Sequence, residues 1–288
     1  MRRRTAVTAL AAALLLLAVA CSDDKGSTAS TTSSEGTSTT ATTAAATPLR
    51  ILISNDDGVG APGIDVLAKA LRALPEVEVV IVAPAENQSG SGGKTTPGGG
   101  SAAAAKTASG LDATAVAGFP ADAATYGLDT VMKDAPPQLV VSGINLGQNL
   151  GPVIDLSGTV GAARVGARHG IPSIAVSAGI ADSPDYETAA KVVVDYVDKH
   201  RDAIEQGSLT HDTVLNINVP TCAAGTNAKG PIDVKAAPDA TGRAILGTAD
   251  CTAVPVTQPA DDVDGFNLGY IVESTIPVEP TADATYGG

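Results

Sequence analysis

Tryptophan is absent from this 288-residue chain, and two phenylalanines and five tyrosines are all the aromatics it has. Any hydrophobic core must therefore be built from Val, Ile, Leu and Ala. Positive charge is also scarce: 18 Lys and Arg stand against 31 Asp and Glu, a formal net charge of −13. That balance argues against a nucleic-acid polymer as partner, which wants a basic face. It leaves small phosphate ligands open, because a local metal can hold them. The three cysteines, Cys21, Cys222 and Cys251, show no C-x-x-C spacing, so neither a thiolate metal site nor a catalytic thiol is indicated. The three histidines, His169, His200 and His211, fall near helix ends or in loops and read as structural or solvated. No P-loop lysine motif, no well-placed G-x-G-x-x-G and no internal repeat is present.

What is there begins with a leader. Arg2, Arg3 and Arg4 precede a short apolar stretch, Ala6 to Ala20, too short to span a membrane and typical of a signal peptide over residues 1–20. Leu17-Ala18-Val19-Ala20-Cys21 resembles a bacterial lipobox, which would leave Cys21 as a lipidated N-terminus. An ordinary secretory signal with an incidental cysteine is the alternative. Residues 22–48 are almost entirely Ser, Thr, Ala and Gly. Such a segment has too little to bury to offset its ordering entropy, so it reads as a disordered tether spanning about 30 Å. The expected product is an exported lipoprotein facing outside the cytoplasm, attached to the membrane through its lipid. With Cys21 lipidated, Cys222 and Cys251 remain as a pair that could form a disulfide in an oxidising compartment, two separate buried thiols being the alternative.

Residues 49–288 are enough for one domain. Leu49 to Ser54 is a near-continuous apolar run suited to a buried parallel strand. Ile64, Leu67, Ala68, Leu71 and Leu74 recur at helical spacing behind Pro62, predicting a helix over 62–74, and Val77 to Val82 is a second buried strand. This β-α-β start predicts an α/β sheet with right-handed crossovers. Residues 88–110 read as a long loop. A helix over 121–131, a strand over 138–142 and a glycine-rich loop over 143–158 follow. Then come a helix over 159–168, a strand over 173–177, a helix over 186–204 and a strand over 214–219. Residues 221–268 read as irregular, and 269–275 as a last strand.

Ligands of open α/β sheets bind beyond the carboxyl ends of the strands. Three polar clusters fall there: Asn55-Asp56-Asp57-Gly58, Asn87-Gln88-Ser89-Gly90 and Ser142-Gly143-Ile144-Asn145. Neighbouring residues of a strand point to opposite faces, so Asp56 and Asp57 converge only if the chain turns, which Gly58 permits. Two adjacent carboxylates repel and raise each other's pKa unless a cation lies between them. With neutral oxygens from Ser89 and Asn145 they would make an oxygen-only site suited to magnesium, manganese or calcium. A solvated acidic turn is the plain alternative. Ser157-Gly158-Thr159 opens a helix, with Ser157 a candidate N-cap; free amides there favour a phosphate, and a simple cap is equally consistent.

Taken together the motifs are specific. Ile53-Ser54-Asn55-Asp56-Asp57-Gly58-Val59 with Ala61-Pro62-Gly63-Ile64 resembles the opening signature of the SurE family of 5′/3′-nucleotidases. Val82-Ala83-Pro84 with Asn87 to Gly90, Val140 to Asn145 with Gly147, Asn149, Leu150 and Gly151, Ser157 to Ala163, Gly170 to Ser177, and Leu215 to Pro220 are similar to its later motifs, in order. The resemblance implies a three-layer α/β/α fold with a mostly parallel, Rossmann-like sheet. It implies a metal-dependent phosphomonoesterase acting on nucleoside monophosphates. It carries metal ligation onto Asp56, Asp57, Ser89 and Asn145, catalysis onto Asp56 and Asp57, and phosphate contact onto Asn149, Ser157, Gly158 and Thr159. Magnesium or manganese would be the cofactor, a nucleotide or other small phosphomonoester the partner, and a homo-oligomer the assembly. The chain departs from the family pattern at Gly60, where histidine is usual, at Leu156 for tyrosine, at Val165 for glutamate, at Ala117, and in the Gly/Ala-rich stretch after Ser89.

Three functions are consistent with these residues: a metal-dependent phosphohydrolase, a non-catalytic lipoprotein that binds a phosphorylated or metal ligand, and a Rossmann-like cofactor enzyme. The missing dinucleotide fingerprint disfavours the last.

Overall fold

The structure, a computed structural model, describes residues 47–239 and 241–281. The leader, Cys21 and all but the end of the tether lie outside the described residues.

The first strand, β1 (Leu49–Ser54), is buried along its length apart from the partly covered Arg50. It is central because both of its faces are apolar. Leu49, Ile51 and Ile53 pack into one cluster with the buried stripe of α1 (Pro62–Arg72), whereas Leu52 packs into another across the sheet. β2 (Val77–Pro84) and β5 (Leu139–Leu146) flank β1, both parallel to it. β6 (Ser173–Ala178) and β7 (Thr213–Val219) extend the parallel block on the β5 side. β4 (Asp112–Ala117) extends it beyond β2, and β3 (Ser101–Lys106) closes that edge antiparallel to β4. At the other edge β9 (Tyr270–Pro277) runs antiparallel to β7 and carries β8 (Lys229–Asp233). The nine-stranded order is β3-β4-β2-β1-β5-β6-β7-β9-β8.

One face of the sheet is covered by α1 and α4 (Tyr186–Glu205). The other is covered by α2 (Pro120–Tyr126) and α3 (Gly158–Arg168). This is the three-layer α/β/α arrangement, with an almost wholly aliphatic core; among the described residues Phe266 is its one fully buried aromatic. The chain winds outward from β1 through β2 and then restarts on the other side at β5. The winding of the chain therefore reverses between the parallel strands β1 and β5, and ligands of open sheets bind in the crevice at such a point.

The structure differs from the sequence-based reading at five points. Residues 88–110 are not one loop: their second half forms β3. A run of alanines carries no β-branched signal, and the strand exists because β4 offers it a partner across a tight turn. Residues 221–268 contain β8 and α5 (Asp262–Asn267), whose N-cap Asp261 accepts the Asp264 amide at 3.0 Å. The helix expected over 121–131 stops at Tyr126 and continues as a wider π-type turn over Gly127–Val131. β5 also runs four residues past Ser142, so Asn145 lies on the strand and not in the loop after it. The expected glycine-rich loop holds a 3-10 turn, Gly151–Leu156. A disulfide joins Cys222 to Cys251 with Cα atoms 5.8 Å apart, tying together the two long segments between β7 and α5.

Candidate functional site

At the end of β1 the buried Asn55 side chain closes a tight turn. Its Nδ2 donates to the Gly58 carbonyl at 2.9 Å and its Oδ1 accepts the Gly58 amide at 3.2 Å. Gly58 sits at φ +100°, a conformation that a side chain would strain. The turn points the two aspartates to different neighbours. Asp56, 2 % exposed, accepts the Thr159 hydroxyl at 2.5 Å. Asp57 accepts Asn87 Nδ2 at 3.2 Å and the Leu146 amide at 2.9 Å.

The loop after β2 closes over the same point. The Gln88 amide donates to the Asp56 carbonyl at 2.7 Å, and the Ser89 amide donates to Asn87 Oδ1 at 3.0 Å. The Ser89 residue itself is exposed, and its hydroxyl has no hydrogen bond to either aspartate. Buried Asn145 directs Nδ2 to the Gly147 carbonyl at 2.6 Å, which leaves its Oδ1 without a donor among the described residues. The four proposed ligands thus come from the ends of β1, β2 and β5, three adjacent strands, with Ser89 the loosest.

Electrostatics marks the site. Burial, opposed by the Thr159 hydrogen bond and reinforced by Asp57, pushes Asp56 up to about 6. Burial also raises Asp57, against the bonds from Leu146 and Asn87. Among the described residues no Lys, Arg or His forms an ion pair with either. Among them, no group of three or more His, Cys, Asp or Glu side chains is arranged to hold a metal ion either. Two neighbouring carboxylates bonded only to neutral groups, with the amide oxygen of Asn145 and the hydroxyl of Ser89 on adjacent strand ends, fit a hard divalent cation.

The amino end of α3 lies against Asp56. Ser157 Oγ accepts the Val160 amide at 3.2 Å, the N-cap expected of it. The amides of Gly158 and Thr159 precede the first intrahelical bond; that of Thr159 faces the Asp56 carboxylate, and that of Gly158 is available to an anion. Gly158 has no room for more than hydrogen: a Cβ there would stand 2.7 Å from the Asp56 Cβ and 2.8 Å from Ser91 Oγ. The approach of helix to carboxylate therefore requires glycine.

Asn149 is held by residues to which the motifs assigned no role. Its amide donates to Asn218 Oδ1 at 2.7 Å, and its carbonyl accepts Asn216 Nδ2 at 2.9 Å and Asn218 Nδ2 at 3.1 Å. Its own Nδ2 donates to Ser177 Oγ at 2.9 Å. Asn216 and Asn218 alternate on one face of β7, both fully buried. Two amides on the buried face of an aliphatic strand were the available signal, because buried polar groups need partners.

Beside Asp57 opens a cavity of about 440 Å³ that also reaches Asn87 and Leu146. Two other cavities, of about 680 Å³ along α4 and 460 Å³ beside Arg164, contain none of these residues. Size alone does not locate the chemistry here.

Fold and site together define an open α/β/α protein with a two-carboxylate centre at the reversal point of its sheet, facing a helix amino end. The profile of the family described as "Survival protein SurE" matches residues 51–237. The chain belongs to the SurE family. It is 40 % identical over 182 residues to the 5′-nucleotidase SurE of Methanopyrus kandleri, covering 60 % of this chain and 66 % of that one. With the 5′-nucleotidase SurE of Coxiella burnetii the identity is 44 % over 172 residues, covering 60 % and 63 %. This chain thus spans about two thirds of the length of the curated relatives it matches. The crystal structure of the SurE protein from Aquifex aeolicus is similar with a TM-score of 0.64 and 32 % identity, covering 81 % of this chain and 95 % of that one.

Proposed function

We propose that the protein is a divalent-metal-dependent phosphomonoesterase that hydrolyses nucleoside monophosphates. The observation that carries this reading is the pair of buried Asp56 and half-buried Asp57, without a cationic partner among the described residues, with Asp56 hydrogen-bonded to Thr159 at the amino end of α3. The names of its relatives support the nucleotide as substrate. Asp56, Asp57, Asn145 and Ser89 would hold magnesium or manganese, which when bound polarises phosphoryl oxygens and lowers the pKa of a water. The Gly158 amide and the Asn149 side chain orient the phosphate. The Thr159 hydroxyl fixes one Asp56 oxygen, which leaves the other free for the centre. Either aspartate could take the proton as water oxygen bonds to phosphorus and the ester P–O bond breaks, releasing a nucleoside and phosphate.

The test is hydrolysis of adenosine 5′-monophosphate with manganese and with chelator. Turnover that requires manganese supports the hydrolase. Tight binding of the nucleotide without turnover supports a binding lipoprotein instead.

The leader and tether support export and membrane attachment through Cys21. The Cys222–Cys251 bridge fits an oxidising compartment. Cys21→Ser should release the protein from membranes, and thiol labelling of the native protein should find neither Cys222 nor Cys251; a soluble, unmodified wild type would refute the anchor.

A further inference from the structure

The loop between β5 and α3 joins Asn149 to the start of α3, and it is clamped from two sides. From one side Ser177, Asn216 and Asn218 fix Asn149 itself. From the other comes Asp262 in α5, a residue outside every motif. It is fully buried; its Oδ2 accepts the Gly151 amide at 2.9 Å and its Oδ1 accepts the Ala237 amide at 2.8 Å. Burial raises its pKa against those two bonds, with Asp261 adding to the rise. Among the described residues no Lys, Arg or His pairs with it; Arg243 bonds Asp261 and Asp264 instead.

The packing around Asp262 leaves the loop little slack. Leu150 lies in one buried cluster with Ala237, Val263, Phe266 and Val272. Gly151 has φ +48°, and a Cβ there would stand 3.1 Å from the Ala237 carbonyl oxygen. The two residues after Asn149 are thus seated on α5 and on the segment that follows β8. A carboxylate suits this seat because it offers two acceptor oxygens and no donor, so it takes amides from two segments at once. An asparagine would turn its own donor towards one of them. Bonds to a charged acceptor are also the stronger kind.

We propose that Asp262 is a positioning residue of the reaction: by holding Gly151 against Ala237 it fixes both Asn149 and the 3-10 turn that leads to Ser157, so that one phosphate meets Asn149 and the start of α3 together. The inference rests on the hydrolase reading and adds to it a residue that acts through the backbone of Gly151. A misplacement of about 1 Å in a positioned group can cost on the order of 10²-fold in rate.

The experiment compares the wild type, Asp262→Asn and Asp65→Asn, all with manganese. Asp65→Asn controls for lost stability alone, since it breaks buried bonds to Thr107 and Ser109, neither of which belongs to this loop. Two quantities are read per folded molecule: kcat/KM for adenosine 5′-monophosphate, and the Kd of inorganic phosphate by calorimetry. Asp262→Asn should lower kcat/KM about tenfold and weaken phosphate about fivefold. The manganese-induced rise in Tm should stay as in the wild type, because Asp56 and Asp57 are untouched. Asp65→Asn should match the wild type in both quantities. Wild-type kcat/KM and phosphate affinity in Asp262→Asn, or equal losses in Asp65→Asn, would overturn the role. If Asp262→Asn does not fold, Val263→Ala decides: it opens space beneath Leu150, keeps the carboxylate, and should weaken phosphate about twofold. Unchanged affinity there would overturn the role as well. A wild type that binds phosphate without turnover would reject the hydrolase reading, while weaker phosphate binding by Asp262→Asn would still support the positioning. A wild type that binds no phosphate would overturn both.

Discussion

Asp56 stands in the turn after β1 and Asp65 in the first turn of α1, 2 % and 5 % exposed. Burial acts to raise the pKa of both. At Asp65 the hydroxyls of Ser109 and Thr107, the Ser109 amide and Lys69 Nζ at 2.9 Å overcome it, and the carboxyl ends well below its ordinary range. At Asp56 the Thr159 hydroxyl and two weaker backbone contacts do not overcome burial, and a second carboxylate adds to it, so the group rises to about 6. The satisfied aspartate anchors structure: it holds the turn between β3 and β4 onto α1. The unsatisfied one is where the protein expects something from outside. Buried charge without compensation is costly, and a fold keeps it where a ligand supplies the missing partner.

The two residues should consequently fail in opposite ways. Asp56→Asn should lower turnover about 10²- to 10⁴-fold, the range for loss of an acid–base group. Without metal the variant should be no less stable than the wild type. In the metal-free wild type the Asp56 contribution to stability, read as the difference from Asp56→Asn, should be fully present below about pH 4 and be lost as pH rises through about 6, because the folded state holds the Asp56 proton more tightly than the unfolded chain does. Added manganese should raise the wild-type Tm more than that of the variant. Thermal unfolding from pH 4 to 8, with and without manganese, checks this. Wild-type turnover and an undiminished manganese shift in Asp56→Asn would remove the site from consideration.

Asp65→Asn should do the reverse: activity per folded molecule stays, and stability at neutral pH falls by about 2 kcal/mol through loss of charge-assisted hydrogen bonds. The sign with pH is opposite too. A depressed folded pKa contributes stability above the ordinary carboxylate range and loses it as pH falls, so wild type and variant should converge below about pH 4. A difference that persisted undiminished at pH 3 would break the contrast. The smallest effect is expected at Asn145. Asn145→Ala removes a neutral oxygen and not a charge, so turnover should fall about tenfold, with a smaller loss of manganese affinity than in Asp56→Asn. Parity of the two variants would mean that charge is not what distinguishes the ligands.

Much of the candidate site was legible because its parts are local. Asn55 to Gly58 build their own turn, Ser157 caps its own helix, and the strand-end rule puts both at one edge of the sheet. The hold on Asn149 was not legible, because Asn216 and Asn218 reach it from a strand far along the chain. Nor was β3, whose alanines carry no strand signal and which depends on β4 and, through the turn, on Asp65.

The sequence by itself determined an α/β sheet and the strand-end turns that carry the candidate residues, since apolar periodicity and turn chemistry act over a few positions; the three layers were implied by the family resemblance. Only the tertiary structure decided which of its buried aspartates would be neutralised by neighbours and which left wanting, and that a cavity lies beside Asp57. Those outcomes depend on groups distant in sequence arriving, or failing to arrive, within hydrogen-bond reach of one carboxylate.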